Sequence, residues 1–160
     1  MSEERDGYLL GPDEGDGYWF LGTLMTVKAG EAQTGGAFTL IEQIAPAGFG
    51  PPPHVHRAED EAFYILDGEL RVTCGERTWD APAGSFVFLP RGVPHAFTVA
   101  GDRPSRLLQL TTPAQFERFV AEIGEPAAQP TLPPPGEPDV PRLFAAMTKY
   151  GYEPAAAPAP

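Results

Sequence analysis

Three histidines and one glutamate in this 160-residue chain have types and spacings suited to metal chemistry. His54 and His56 lie two apart, Glu61 follows five residues later, and the third and last histidine, His95, stands in a second stretch. On an extended strand a spacing of two puts both imidazoles on one face. Three neutral imidazoles with one carboxylate make a mixed nitrogen and oxygen donor set that suits one divalent transition metal ion. Fe, Mn, Co, Ni, Cu and Zn all accept such a set, so the sequence does not select among them. Glu59, in the run Arg57-Ala-Glu-Asp, is a competing carboxylate that reads as solvated, because unpaired acidic residues stay in water. Cys74, the single cysteine, reads as a small packing residue and forms no disulfide within the chain.

The elements that must position these donors are short strands. Tyr18 to Val27 is rich in aromatic and β-branched residues and reads as one strand with a bulge or bend at Gly22. Ala37 to Ala45 is a second. Pro46 to Pro53 holds four prolines and delivers the chain to His54 in extended form. From Glu61 to Leu66 apolar residues alternate, and Asp67-Gly68 predicts a type I′ hairpin turn into a return strand, Glu69 to Cys74. Further strands are predicted at Ser85 to Leu89, His95 to Val99 and Arg106 to Leu110. Strands this short, joined by Gly and Pro turns, indicate an all-β sandwich or barrel. Alternation also puts Phe63 and Ile65 on the face of Glu61, and Phe97 and Val99 on the face of His95. The wall around the donors is then apolar. Phe63 and Phe97 are the candidate substrate-pocket residues, better suited to a flat aromatic than to a sugar; Ile65 and Val99 read as core.

The four regions expected are an N-terminal arm over 1–17, the barrel over 18–111, helices with a proline-rich strap over 112–151, and a disordered tail over 152–160. Thr112-Pro-Ala-Gln115 has the form of a capping box, ahead of Phe116, Phe119, Val120 and Ile123 at helical spacing and Gly124 as C-cap. Asp139 would cap a second helix presenting Leu143, Phe144, Met147 and Tyr150 and ending at Gly151. A formal charge of −11 opposes nucleic-acid and anionic-membrane partners. The charged N-terminal residues lack the apolar run of a secretion signal, and a cytoplasmic location is expected. The apolar strand at Tyr18 to Val27 suggests a homodimer formed by strand exchange at that edge.

The spacings take the form G-x5-H-x-H-x4-E-x6-G from Gly48 to Gly68, then G-x5-P-x-G-x2-H from Gly84 to His95, with fifteen residues between them. This resembles the two-motif signature of the cupin superfamily. The resemblance implies a small jelly-roll β-barrel, with one or two short C-terminal helices packed outside and a metal held within by His54, His56, Glu61 and His95. The family's closing Asn is replaced here by Val99; that Asn is not a ligand. The Tyr18-Trp-Phe-Leu-Gly opening, the His54-to-Tyr64 run and the Thr-Pro-Ala-x-Phe-Glu-Arg-Phe stretch resemble small bacterial cupins of the quercetin 2,3-dioxygenase-like type. For such a protein the implied activity is metal-dependent cleavage of a flavonol, or a similar aromatic substrate, by O2. Glu61 would be both ligand and catalytic base, its basicity raised by apolar surroundings. The same ligands serve other cupin chemistry, such as an isomerase, a cyclase or another oxygenase, and a non-catalytic barrel that binds a small ligand is the remaining class.

Overall fold

The computed structural model describes residues 5–156. Its strands are β1 (Asp16–Phe20), β2 (Thr23–Ala29), β3 (Thr39–Ala45), β4 (His54–His56), β5 (Asp60–Asp67) and β6 (Glu69–Cys74). They continue with β7 (Arg77–Pro82), β8 (Phe86–Leu89), β9 (His95–Val99), β10 (Ser105–Thr112), β11 (Glu125–Pro126) and β12 (Tyr152–Pro154). Three helices, α1 (Glu31–Thr34), α2 (Phe116–Ile123) and α3 (Val140–Tyr150), complete the described elements. The strands form two antiparallel sheets facing one another in a jelly roll. One has the order β11-β1-β2-β3-β10-β5-β8, the other β12-β4-β9-β6-β7. Inward positions recur every second residue: Thr39, Ile41, Gln43 and Ala45 on β3, and Glu61, Phe63 and Ile65 on β5, are buried. Ile65, Leu70, Val72 and Leu107 show no exposed surface between the sheets.

Several sequence expectations change. Tyr18 to Val27 is a hairpin, not one strand. Leu21 and Gly22, both at positive φ, turn the chain so that Trp19 pairs with Leu24. Asp67-Gly68 is not a hairpin turn either. The strand before it pairs with β10 and β8, while the strand after it pairs with β7 and β9. Gly68 (φ 81°) is the corner where the chain changes sheets; a Cβ there would lie 2.4 Å from Ser105 Oγ. The Thr112 capping box does not form. Thr112 ends β10, its hydroxyl donates to the Ala37 carbonyl (2.7 Å), and α2 begins at Phe116 with no side-chain cap. The predicted cap of α3 is present, with Asp139 Oδ1 accepting from the Arg142 amide and Gly151 closing the helix at φ 77°.

The tail does not begin at 152. Tyr152–Pro154 pairs with His56–His54 as β12, burying the Tyr152 ring, and residues 157–160 lie outside the described part. The edge of β1 is also covered, since Tyr18 and Trp19 pair with Pro126 and Glu125. Strand exchange at that edge would displace this pairing. The proline-rich segment beyond is tied down by Trp19 Nε1, which donates to the Thr131 carbonyl (2.9 Å). Both larger helices lie outside the barrel at its open end, where Phe116, Phe119 and Val120 join Phe20, Met25 and Ile41 in an aromatic-rich cluster.

Candidate metal centre

Proline stiffness brings the chain extended into β4, where His54 and His56 occupy alternate positions. His54 lies directly opposite His95 on β9. Glu61 comes from β5 in the facing sheet. Folding thus brings three imidazoles from one sheet toward a carboxylate on the other. One donor atom from each of His54, His56, Glu61 and His95 lies within 4.8 Å of the rest. Glu61 Oε2 is 2.9 Å from His95 Nε2 and 3.8 Å from His56 Nε2.

Each imidazole is oriented from behind. Nδ1 of His54 faces the Pro52 carbonyl (2.9 Å), that of His56 faces Glu59 Oε1 (2.9 Å), and that of His95 faces the Val93 carbonyl (3.1 Å). All three partners are acceptors, so the protons sit on Nδ1 and the three Nε2 lone pairs are left for an electrophile. His95 Nε2 is buried and, despite its 2.9 Å approach to Glu61, makes no aligned hydrogen bond. An orphaned, unprotonated nitrogen beside two others and a carboxylate fits a divalent transition metal ion.

The electrostatics agree with this arrangement. Burial, then the charge of His95, lowers the His54 pKa to about 4, so the ring is neutral and ligand-ready at pH 7. Burial also opposes protonation of His56, but the charges of Glu61 and Glu59 outweigh it and raise that pKa above the ordinary 6.5. The expectation that apolar surroundings would make Glu61 a stronger base is not met. Burial does favour its neutral form, yet the adjoining His56 and His95 overcome it and hold the pKa down to about 2. Gln109 Nε2 donates to Glu61 Oε1 at 2.5 Å, which further fixes the ionised carboxylate.

Glu59 is where the sequence reading misses a residue of the site. It is completely buried, not solvated, and among the described residues its hydrogen-bond partner is His56. Tyr152 on β12 stands opposite His56 with ring centroids 4.6 Å apart, and its hydroxyl pKa is raised, first by burial and then by the charge of Glu59. Neither the Tyr152 hydroxyl nor Glu59 Oε2 has an aligned partner. The C-terminal strand, absent from the sequence reading, brings the Tyr152 hydroxyl within the influence of the Glu59 charge. Cys74 is buried, and burial raises its thiol pKa, as befits a packing residue. Val99 is 2% exposed within the core, and its backbone holds Gly48 and Phe49 through hydrogen bonds. It makes no contribution to the donor group.

Beside the four donors lies a cavity of about 270 Å³. Phe63 and Phe97 both line it, their rings edge to face at 5.3 Å. Ile65 and Val99 do not reach it and belong to the core. Phe20, Phe116 and Phe119 line it too, the Phe116 ring stacked 6.1 Å from that of His56, and α3 adds Leu143, Phe144 and Met147 as a roof. No lysine or arginine is among the lining residues.

Residues 40–111 match the family described as Cupin domain. Quercetin 2,3-dioxygenase from Bacillus subtilis (strain 168) is 29% identical over 134 residues, which are 84% of this chain and 40% of that protein. The chain therefore spans well under two thirds of that relative's length. Among solved structures, an RmlC-like cupin from Shewanella frigidimarina superimposes with a TM-score of 0.60 at 16% identity, over 71% of this chain and 97% of that one. A predicted oxalate decarboxylase from Thermotoga maritima gives 0.53 at 23% identity, over 57% and 80%. At such identities the two structures speak for the fold. Residues 40–111 are thus a cupin domain, in agreement with the jelly roll and the two motifs, and most of the chain is similar in sequence to a quercetin 2,3-dioxygenase.

Proposed function

We propose that this cupin is a metal-dependent dioxygenase-like enzyme that cleaves a flavonol or similar flat aromatic substrate with O2. The observation that carries the reading is the pairing of the four donors with an aromatic-lined cavity whose lining residues include no lysine or arginine. A small dianion such as oxalate has no guanidinium or ammonium to meet there. A flat, uncharged ring system instead gains contact with the edges and faces of Phe63, Phe97 and Phe116.

His54, His56, His95 and Glu61 are the residues that would hold the ion. The chemistry such an ion supplies when bound is Lewis acidity and redox reactivity toward O2. The chain itself contributes orientation and an apolar site. The three Nδ1 contacts fix the imidazoles, and Gln109 fixes Glu61. The phenylalanine walls and the α3 roof are apolar, so a substrate that fills the cavity would displace water and strengthen each polar contact inside. Glu61 Oε2 faces the other donors and would accept a hydrogen bond from a substrate hydroxyl. Its low basicity makes full removal of that proton unfavourable, so its first role is as a ligand.

The test is metal content of protein purified without chelators, a His56→Ala control, and oxygen uptake with quercetin. Stoichiometric metal that disappears in His56→Ala, together with oxygen consumption by the loaded wild type, is the expected result. Metal without oxygen consumption would remove the flavonol substrate. Failure to take up metal after reconstitution would remove the site.

A further inference from the structure

One polar group in the cavity wall is unaccounted for by the metal centre. Gln43 lies on β3 between Met25 of β2 and Leu107 of β10, both buried and apolar. It is 2% exposed and lines the cavity. Its amide nitrogen has only a long contact, 3.4 Å, with Thr23 Oγ1. The Thr23 hydroxyl already donates to the Phe20 carbonyl at 2.7 Å, so it has no proton left for Gln43. The nitrogen must therefore face Thr23, and Oε1 is left as a buried acceptor with no partner. Leaving such an atom in an apolar wall is destabilising unless a water or a ligand in the cavity completes it.

The place of Gln43 separates it from the chemistry. Gln109, the other amide of the cavity, is committed to Glu61. Strand register sets Gln43 level with Leu107 and Ile65, whereas Glu61 is level with Thr111 and Thr39. The two residues are thus four positions apart along the strands and two strands apart. These offsets are roughly 13 Å and 10 Å at standard strand spacing. A ligand that touches both Glu61 and Gln43 must be long as well as flat.

We propose that Gln43 is the specificity determinant of the cavity, accepting a hydrogen bond from a hydroxyl at the end of the substrate remote from the metal donors. The site then selects a planar, uncharged, polyhydroxylated aromatic over the same ring system without the distal hydroxyl. This rests on the dioxygenase-like reading of the cavity. A site built to hydrogen-bond a ligand hydroxyl discriminates strongly against an analogue that lacks it, because the acceptor is then left unmet.

The experiment compares dissociation constants of quercetin and 3-hydroxyflavone, which lacks the distal hydroxyls, for metal-loaded protein under anaerobic conditions. Wild type is expected to prefer quercetin by about tenfold, the order of one hydrogen bond. In Gln43→Leu, and in Gln43→Met as a second apolar replacement, the preference should fall to within about twofold. Metal content and melting temperature report that these variants remain folded and loaded. Equal affinities in wild type, or a preference that persists in both variants, would overturn the assignment and leave the dioxygenase-like reading intact. Binding of neither compound to wild type would instead overturn the cavity reading, and this proposal with it.

Discussion

The two ends of this barrel are built on the same strands yet have opposite characters. Reading inward positions along β5 gives Glu61, then Phe63, then Ile65; along β9 it gives His95, Phe97 and Val99. Both strands pass from metal donor to aromatic wall to branched aliphatic core within five residues. At the closed end Ile65, Leu70, Val72, Val99 and Leu107 are at most 2% exposed. At the open end several buried polar atoms lack partners, among them those of Glu59, His95 and Tyr152, and a cavity remains. The comparison teaches that stability and chemistry are divided along the barrel axis. Close packing of aliphatic groups at one end offsets the cost of unpaired polar groups held ready at the other.

Damage at the two ends should therefore separate. Leu70→Ala should destabilise the protein by about 2–5 kcal/mol in denaturant titration, through lost burial and a residual cavity. The variant that remains folded should bind metal with unchanged affinity; a loss of affinity in folded protein would show that the two ends are not independent. At the open end, Glu59→Ala should weaken metal affinity by about 10–100-fold in chelator competition, because His56 loses the group that sets its tautomer and orientation. Glu59→Gln, which still presents an oxygen to Nδ1, should recover most of that loss. Equal affinity in Glu59→Ala and wild type would reduce Glu59 to a packing role.

The smallest effect is expected from pH on the metal-free protein. Folded His54 stays neutral down to about pH 4, whereas an unfolded histidine takes a proton near 6.5. The unfolded state therefore binds more protons in that window, and this contribution to stability falls as pH drops from 6.5 to 4. Glu61, depressed to about 2, contributes stability that is complete above its ordinary 4.5 and lost as pH falls toward 2. The raised pKa of His56 works in the opposite sense, its contribution being full below 6.5 and lost at higher pH, so the two histidines together favour a stability maximum near pH 6.5. An NMR titration should place the His54 midpoint well below that of His56; coincident midpoints would contradict the assigned environments.

Much of the donor group was legible because its information is local. Alternation on β4, β5 and β9 is a property of the extended backbone, so His54 and His56, Glu61 with Phe63, and His95 with Phe97 fall on shared faces whatever the partners. Gln43 carried the same kind of signal, a polar residue at an inward position between Ile41 and Ala45, and went unused. Glu59 carried none. It sits among charged neighbours in a turn, and it is buried in the folded chain, where Tyr152 from some ninety residues later pairs with the adjacent His56. The turns failed for a related reason: Asp67-Gly68 specifies a local backbone reversal, but which sheet receives the next strand depends on where β10 and β9 already lie.

The sequence by itself determined the strand faces, the four candidate ligands and the caps of α3, each set by backbone period or by neighbours within a few residues. Tertiary structure alone decided that Glu61 is a carboxylate held near pKa 2 rather than a strengthened base, since three imidazoles from the other sheet face it. It also decided that the C-terminal segment roofs the cavity with α3 and braces His56 with β12. Those outcomes depend on electrostatic and packing contacts between residues far apart in the chain, and no short-range pattern encodes them.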